Sequence, residues 1–378
     1  MRVAIDFTPG LNQLAGIGRY TRELVRALTE NAQFEIVLWH GRTSSPVPRS
    51  SSPRIHYRQI PFSERWLTRL WYRVRIPFPI DPLIGPVDVV HGTDFLVPPA
   101  RCARVATVHD VSFLLVPELG HPRLVSFLQA VFPRMLRTVD ALIAVSESVR
   151  QDVLRLYRLS PDRVYAIPHG VAFPFAPHPP QHARPVIASL GIREPYLIAV
   201  GTVEPRKGYP LLLQAVERAA TKIPDLQLVI VGATGWLAEP IECALEEAQG
   251  RGRVLRLRGI SDQTLAALYS ASAAFVTASF YEGFNLPLLE ALACGAPVIA
   301  TDIPVHREVA GDAALFVRIG DVDSLAEAII GLLTEGALAS RLQKAASQRA
   351  SRFSWHKSAE QHIAVYRAVA SEHASRRP

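Results

Sequence analysis

The stretch "YEGFNLPLLEALACGAPV", residues 281–298, decides how the rest of the chain is read. It places Glu282 and Glu290 eight positions apart around an otherwise apolar run. A carboxylate at Glu290, between Leu289 and Ala291, is costly unless a charge or a hydrogen bond meets it. Asn285 followed by Pro287 reads as a helix start, because Asn caps well and Pro is tolerated in the first turn. Glu282 then lies on the preceding loop and Glu290 about one turn inside the helix. The backbone N–H groups of Phe284, Asn285 and Leu286 fall between them, and such groups favour an anion. The stretch therefore calls for a ligand with hydroxyls at both ends and phosphate in the middle.

The chain has 378 residues, which predicts two domains. A hydrophobic content of 49% with 20% charged residues describes a folded, soluble protein. "MRVAIDF" reads directly as a strand, without the pattern of a signal peptide, and no apolar run reaches the length of a membrane helix. Cys102, Cys243 and Cys294 are widely spaced and fit reduced cytosolic thiols. The net charge of +7 lies in the first half: through residue 185 there are 22 Arg and no Lys against 14 acids. Between Arg42 and Arg75 eight Arg face one acid, Glu64. Such a patch attracts phosphate-bearing surfaces, lipid or nucleic acid.

Both halves alternate short β-rich runs with helical segments, the pattern of parallel sheets flanked by helices. The first half offers "RVAIDF", "FEIVLW", "VDVVH", "RVATVH", "ALIAVS" and "RVYAIP" as strands; the second offers "YLIAVG", "LQLVIVG", "VLRLRG", "AAFVTAS", "PVIAT" and "ALFV". Residues 172–185, with five prolines, suit a linker. "SWHKSAEQHIAVYRAVA" from Ser354 reads as a capped amphipathic helix. The simplest architecture is α/β, two Rossmann-like domains facing a cleft, with ligands beyond the carboxyl ends of the strands.

Three motifs fall at those ends. His109-Asp110 follows "RVATVH", "GTVEPRKG" (201–208) follows "YLIAVG", and the 281–298 stretch follows "AAFVTAS". Arg206 and Lys207 are suited to neutralising a diphosphate leaving group; taken alone they read as a solvated surface pair. His109 alone reads equally as a half-buried imidazole bonded to backbone. Gly16 and Gly18 of "GIGRY" lack the third glycine of a dinucleotide fingerprint, but close backbone approach at a helix start suits a phosphate or a sugar. Asp321 and Asp323 of "GDVDS" stand just before a helical run, where Asp and Ser are ordinary caps. No metal is assigned to them.

Taken together, "GIGRYTREL", "HDVSFLLVPE", "VSESVRQDV", "GTVEPRKG", "SFYEGFNLPLLEALACGAPVIATD" and "FSWHKSAEQHIAVYR" make the chain resemble the family 4 glycosyltransferases of GT-B fold. The resemblance covers nearly the whole chain, and its Glu-x7-Glu pattern is the specific part. It implies a nucleotide-sugar donor, with Glu282 on the transferred sugar, Glu290 on the ribose diol, and Arg206, Lys207 and the N–H groups of 284–286 on the diphosphate. His109 is expected to contact the donor sugar from the N-terminal domain. The expected domains are 1–178 and 186–356, with the C-terminal helix, 357–378, crossing back to the first. The chain departs from the family at Asn285, where Gly is frequent, at Thr202, where many members have Arg, and at His169, where Asn is common. Asn tolerates left-handed backbone, so the turn is expected to survive, and Arg206 is expected to stand in for the missing Arg. The family transfers with retention and needs no cofactor or metal here.

A resemblance to bacterial mannosyltransferases that build surface polysaccharides suggests GDP-mannose and a glycan or lipid-linked acceptor. "SERWLTRLWYRVRIPF", residues 63–78, reads as a helix capped by Ser63. Trp66, Leu67, Leu70, Trp71 and Val74 fall on one side of it, and Arg65, Arg69 and Arg73 on another. That suits the boundary of an anionic bilayer, and equally an apolar side packed on the N-terminal domain with the arginines merely solvated; the first reading makes this a cytoplasmic enzyme peripheral on the inner face of the plasma membrane. Two rivals are a GT-B-fold nucleotide-sugar epimerase and a non-catalytic Arg-rich nucleic-acid binder. The second lacks any helix-turn-helix, zinc-finger or RRM pattern, and nucleic acid is not expected as a partner.

Overall fold

The structure is a computed structural model and describes residues 1–14, 16–31, 33–47, 52–74 and 76–376. Two of the eight arginines between 42 and 75, Arg49 and Arg75, lie outside these residues, as does the end of the 357–378 segment. The chain divides into two compact units. The first takes Met1–Val111, Ser126–Gly170 and the chain from Ser354; the second takes Ser112–Val125 and Val171–Phe353.

In the first unit β1 (Arg2–Asp6), β2 (Glu35–His40), β3 (Ile55–Gln59), β4 (Val89–Gly92), β5 (Ala103–Val108), β6 (Ala141–Ala144) and β7 (Val164–Ala166) form one sheet in the order β3-β2-β1-β4-β5-β6-β7. In the second, β8 (Tyr196–Val200), β9 (Gln227–Val231), β10 (Val254–Leu257), β11 (Ala274–Thr277), β12 (Val298–Thr301) and β13 (Ala314–Val317) run β10-β9-β8-β11-β12-β13. Every pairing in both sheets is parallel. The central strands are buried on both faces, which is why they read as continuous apolar runs. All twelve expected strands are present. The unexpected one, β3, is a half-exposed edge strand, "IHYRQ", whose polar composition carries little strand signal.

The terminal helix spans Trp355–Ser375, and the Ser354 hydroxyl accepts from the His356 N–H at 3.2 Å. It packs on the helix Ile17–Asn31 of the first unit. Gly170 makes the join possible, since a Cβ there would lie 2.0 Å from the Trp355 nitrogen. Asp321 caps the helix Val322–Thr334 by accepting from Ser324 N–H at 2.9 Å. No helix among the described residues is long and apolar enough to cross a membrane.

Two local expectations are corrected. The proline-rich stretch is open chain only in its first half, because Pro180 begins a helix that runs to Ser189. The 63–78 segment is not one regular helix. An α-turn over Glu64–Thr68 passes into a π-helix over Arg69–Val74, and the Ser63 side chain makes no cap bond. Trp71 is buried, and its indole N–H donates to the Phe78 carbonyl at 2.9 Å, folding residues 76–78 back on the helix. The apolar residues therefore do not share one side. Leu67 and Trp71 face inward, while Trp66 and Val74 are 62% and 60% exposed.

Candidate functional site

Each motif of the second unit sits just beyond a strand end. After β8 the chain makes a short 3₁₀ turn, Pro205–Lys207, closed by Gly208 at φ 66°. A Cβ on Gly208 would lie 2.2 Å from the Ala278 carbonyl oxygen, so only glycine lets this turn reach the chain leaving β11. The two segments are stitched by the Phe280 N–H, which donates to the Arg206 carbonyl at 2.9 Å.

That contact sets the side chains. Glu282 is buried; its Oε1 accepts from Lys207 Nζ at 2.5 Å and from Ser279 Oγ at 2.7 Å, and its Oε2 accepts from Arg206 Nη1 at 2.8 Å. Arg206 also donates to the Tyr281 carbonyl at 2.7 Å and, through Nη2, to Glu204 Oε1 at 2.6 Å. Arg206 and Lys207 are only 13% and 15% exposed, so they are not a solvated surface pair. Burial alone would raise the Glu282 carboxyl, but the charges of Lys207 and Arg206, with the lysine hydrogen bond, hold it well below the usual carboxylate range. Burial pushes Glu204 up in spite of Arg206. Two carboxylates and two cations thus form one buried cluster in which Glu282 stays ionised.

Asn285 adopts left-handed backbone, φ 69° and ψ 67°, and starts the helix Leu286–Ala293, its Oδ1 accepting from Leu288 N–H at 3.4 Å. Phe284 and Leu286 are buried, the Phe284 ring meeting Phe353 edge-on at 5.8 Å. Glu290 is buried and accepts from the Tyr269 hydroxyl at 3.3 Å. Thr202 lies on the loop after β8, which is tied to its neighbour by Val203 N–H to Ala233 O and Gly235 N–H to Val203 O, both 2.9 Å.

In the first unit His109 is half-buried and donates its Nε2–H to the Thr93 carbonyl at 2.7 Å, which fixes the tautomer and leaves Nδ1 as the basic nitrogen. Burial lowers its pKa to about 4. Tyr20 lies edge-on to it at 4.9 Å, and His169 is tilted to it at 6.2 Å. Gly16 has φ 56° and open space where a Cβ would stand. Gly18 is needed by the chain itself, since a Cβ there would lie 1.9 Å from the Gln13 carbonyl oxygen.

Reading the sequence did not single out Glu204, Ser279, Tyr269 or His306. Glu204 and Ser279 stand inside quoted motifs, next to charged residues that drew the attention. Tyr269 and His306 belong to no spacing pattern.

Residues 14–173 match the family described as Glycosyltransferase Family 4, and residues 187–349 match Glycosyl transferases group 1. The chain is 29% identical over 380 residues to O-antigen chain mannosyltransferase B of Escherichia coli, covering 97% of this chain and all of that one. In fold it is similar to sucrose-phosphate synthase of Thermosynechococcus elongatus (TM-score 0.77, 22% identity, 98% and 100% of the two chains). It is also similar to Anabaena Alr3699/HepE, solved with UDP and glucose (TM-score 0.74, 16% identity, 96% and 98%). The chain belongs to glycosyltransferase family 4, with the GT-B fold and hexosyltransferase activity.

Proposed function

We propose that this enzyme transfers mannose from GDP-mannose, with retention, to a glycan or lipid-linked acceptor of surface polysaccharide synthesis. The observation that carries the reading is the seating of both loop cations on one ionised carboxylate, Lys207 at 2.5 Å and Arg206 at 2.8 Å from Glu282. The cluster keeps two positive groups desolvated and fixed in place, which is what stabilising a leaving diphosphate requires. Glu282 receives hydroxyls of the sugar, Lys207 and Arg206 with the N–H groups of 284–286 receive the diphosphate, and Glu290 receives the ribose diol. His109 is assigned to the donor sugar. No side chain acts as nucleophile: a leaving phosphate oxygen takes the acceptor proton as the new bond forms on the same face. Catalysis is then positioning and leaving-group stabilisation. Mannose as the sugar is favoured by the resemblance to O-antigen chain mannosyltransferase B.

A lipid-linked acceptor fits a second feature. Of the large apolar side chains exposed among the described residues, five fall between 62 and 78: Phe62, Trp66, Val74, Ile76 and Phe78. Arg65, Arg69 and Arg73 are exposed in the same segment, and the Arg69 guanidinium lies 5.7 Å from the centre of a Trp66 ring. Aromatic rings mixed with arginines suit the headgroup region of an anionic bilayer. The proposed location is therefore peripheral, on the cytoplasmic face of the membrane.

The test is donor hydrolysis with a panel of GDP-, UDP- and ADP-sugars. Release of GDP from GDP-mannose above the others is expected. Turnover of another donor would move the sugar assignment, and release of free N-acetylmannosamine from UDP-N-acetylglucosamine would support the epimerase instead.

A further inference from the structure

We infer that His306 is a positioning residue, which holds Asn285 and through it the first turn of the Leu286–Ala293 helix in the shape that receives the donor diphosphate. The inference rests on the assignment of the 284–286 N–H groups to that diphosphate.

Asn285 is the last residue before the helix, and its left-handed backbone decides where the preceding N–H groups point. An L-residue there is strained unless its side chain is held, Asn less so than others. Here both ends of the side chain are held. Oδ1 accepts from Leu288 N–H, and Nδ2 donates to His306 Nε2 at 2.9 Å and lies 3.5 Å from Thr277 Oγ1. His306 is fully buried, on the short helix Pro304–Ala310 that follows β12. Its other ring nitrogen lies 2.8 Å from the Thr301 carbonyl. A carbonyl can only accept, so Nδ1 carries the proton and Nε2 is left as an acceptor, matching the donor that Asn285 presents. Burial, which lowers the imidazole to about 4, keeps it neutral and the acceptor available at ordinary pH.

The brace extends to the other end of the loop. The Thr301 hydroxyl donates to the Ser279 carbonyl at 2.6 Å, and the Ser279 hydroxyl donates to Glu282. From the end of β12, Thr301 and His306 thus fix both the residue that holds the cations and the residue that starts the helix. A glycine at 285 would adopt the turn without help. An asparagine there makes the turn depend on its acceptor.

The experiment combines His306→Leu, His306→Gln, Asn285→Gly and the double variant Asn285→Gly/His306→Leu. Two quantities are read: affinity for UDP, GDP and ADP by calorimetry, and amide hydrogen exchange over 284–288 without nucleotide. His306→Leu is expected to speed exchange in this segment and to weaken the nucleoside diphosphate that the wild type binds by about ten-fold, the effect of one lost buried hydrogen bond. His306→Gln, which retains an acceptor, is expected to recover most of the loss. In the Asn285→Gly background His306→Leu is expected to add little. Unchanged exchange and affinity in His306→Leu would overturn the inference, as would the same ten-fold loss in both backgrounds. If His306→Leu folds only beside Asn285→Gly, that rescue supports the coupling; failure in both backgrounds counts against it. If the wild type binds none of the three nucleotides, the diphosphate assignment falls, while the exchange rates still decide whether His306 holds the turn.

Discussion

Tyr366 on the terminal helix donates its hydroxyl proton to His91 Nδ1 on β4, 2.7 Å away. The direction follows from the far end of the same chain of bonds. His362 Nδ1 lies 2.7 Å from the Ser358 carbonyl and must be the donor there, so its Nε2 accepts from the Tyr20 hydroxyl at 3.1 Å. Thr107 then donates to Tyr20 at 2.8 Å and accepts from His91 Nε2–H at 2.7 Å, which leaves His91 Nδ1 bare for Tyr366. Both imidazoles must be neutral, because an added proton would set two donors face to face. Burial lowers His362 to about 4; burial, then the neighbouring His362 and His109, depresses His91 well below 6.5. The unfolded chain therefore takes up protons first. Stability should be level above about pH 6.5 and fall as pH drops from there towards 4, as read by thermal melts across pH. Tyr366→Phe should lower stability by about 1–3 kcal/mol at neutral pH, since it leaves the His91 acceptor buried without a donor. A flat profile between pH 6.5 and 4 would contradict this account.

Lys207→Ala should cut turnover by about 10²–10³ at saturating donor, the usual cost of removing one group that stabilises the leaving charge. Glu282 keeps Arg206 and Ser279, so the variant should still fold, with a lowered melting temperature because a buried carboxylate loses one of its two cations. Near-normal turnover would assign the lysine a structural role only.

Glu290→Ala should weaken nucleoside diphosphate binding by about 1.5–3 kcal/mol, because the ribose diol loses a charged acceptor. Calorimetry on the folded variant checks it, and an unchanged Kd would place Glu290 outside the donor site.

Replacing Arg65, Arg69 and Arg73 with Glu should abolish sedimentation with anionic vesicles while leaving nucleotide affinity intact, at roughly 1 kcal/mol of attraction per basic residue. Trp66→Ser alone should weaken sedimentation, and more visibly at high salt, where charge is screened. Wild-type protein that stays in the supernatant at low salt would remove the membrane assignment.

Strands buried on both faces announce themselves as apolar runs, so β1, β5, β8 and β9 were legible. β3 was not, because an edge strand with one half-covered face carries polar residues. The helix start at Asn285 was legible from Asn and Pro, and so was the placing of Glu282 and Glu290 before and within it. The pairing of Glu282 with Lys207 was not, because it depends on Gly208 letting two loops meet across 75 positions. His306 and the Tyr366–His91 bond were hidden because contacts across 21 and 275 positions leave no periodicity to read. The break after Thr68 was also beyond reach, since a π-helical turn shifts which side each residue faces without altering composition.

The first unit is completed by the final helix of the chain. On the ribosome, Tyr20, His91 and Thr107 emerge long before His362 and Tyr366 exist to meet them. The second unit, made in between, can form first, while the first waits with its polar interior unfinished. A chain that ends before Ser354 would lack those partners and expose the surface that Trp355, Ile363 and Val369 cover. Closure of the first unit's polar interior thus waits on contacts across 275 and 342 positions.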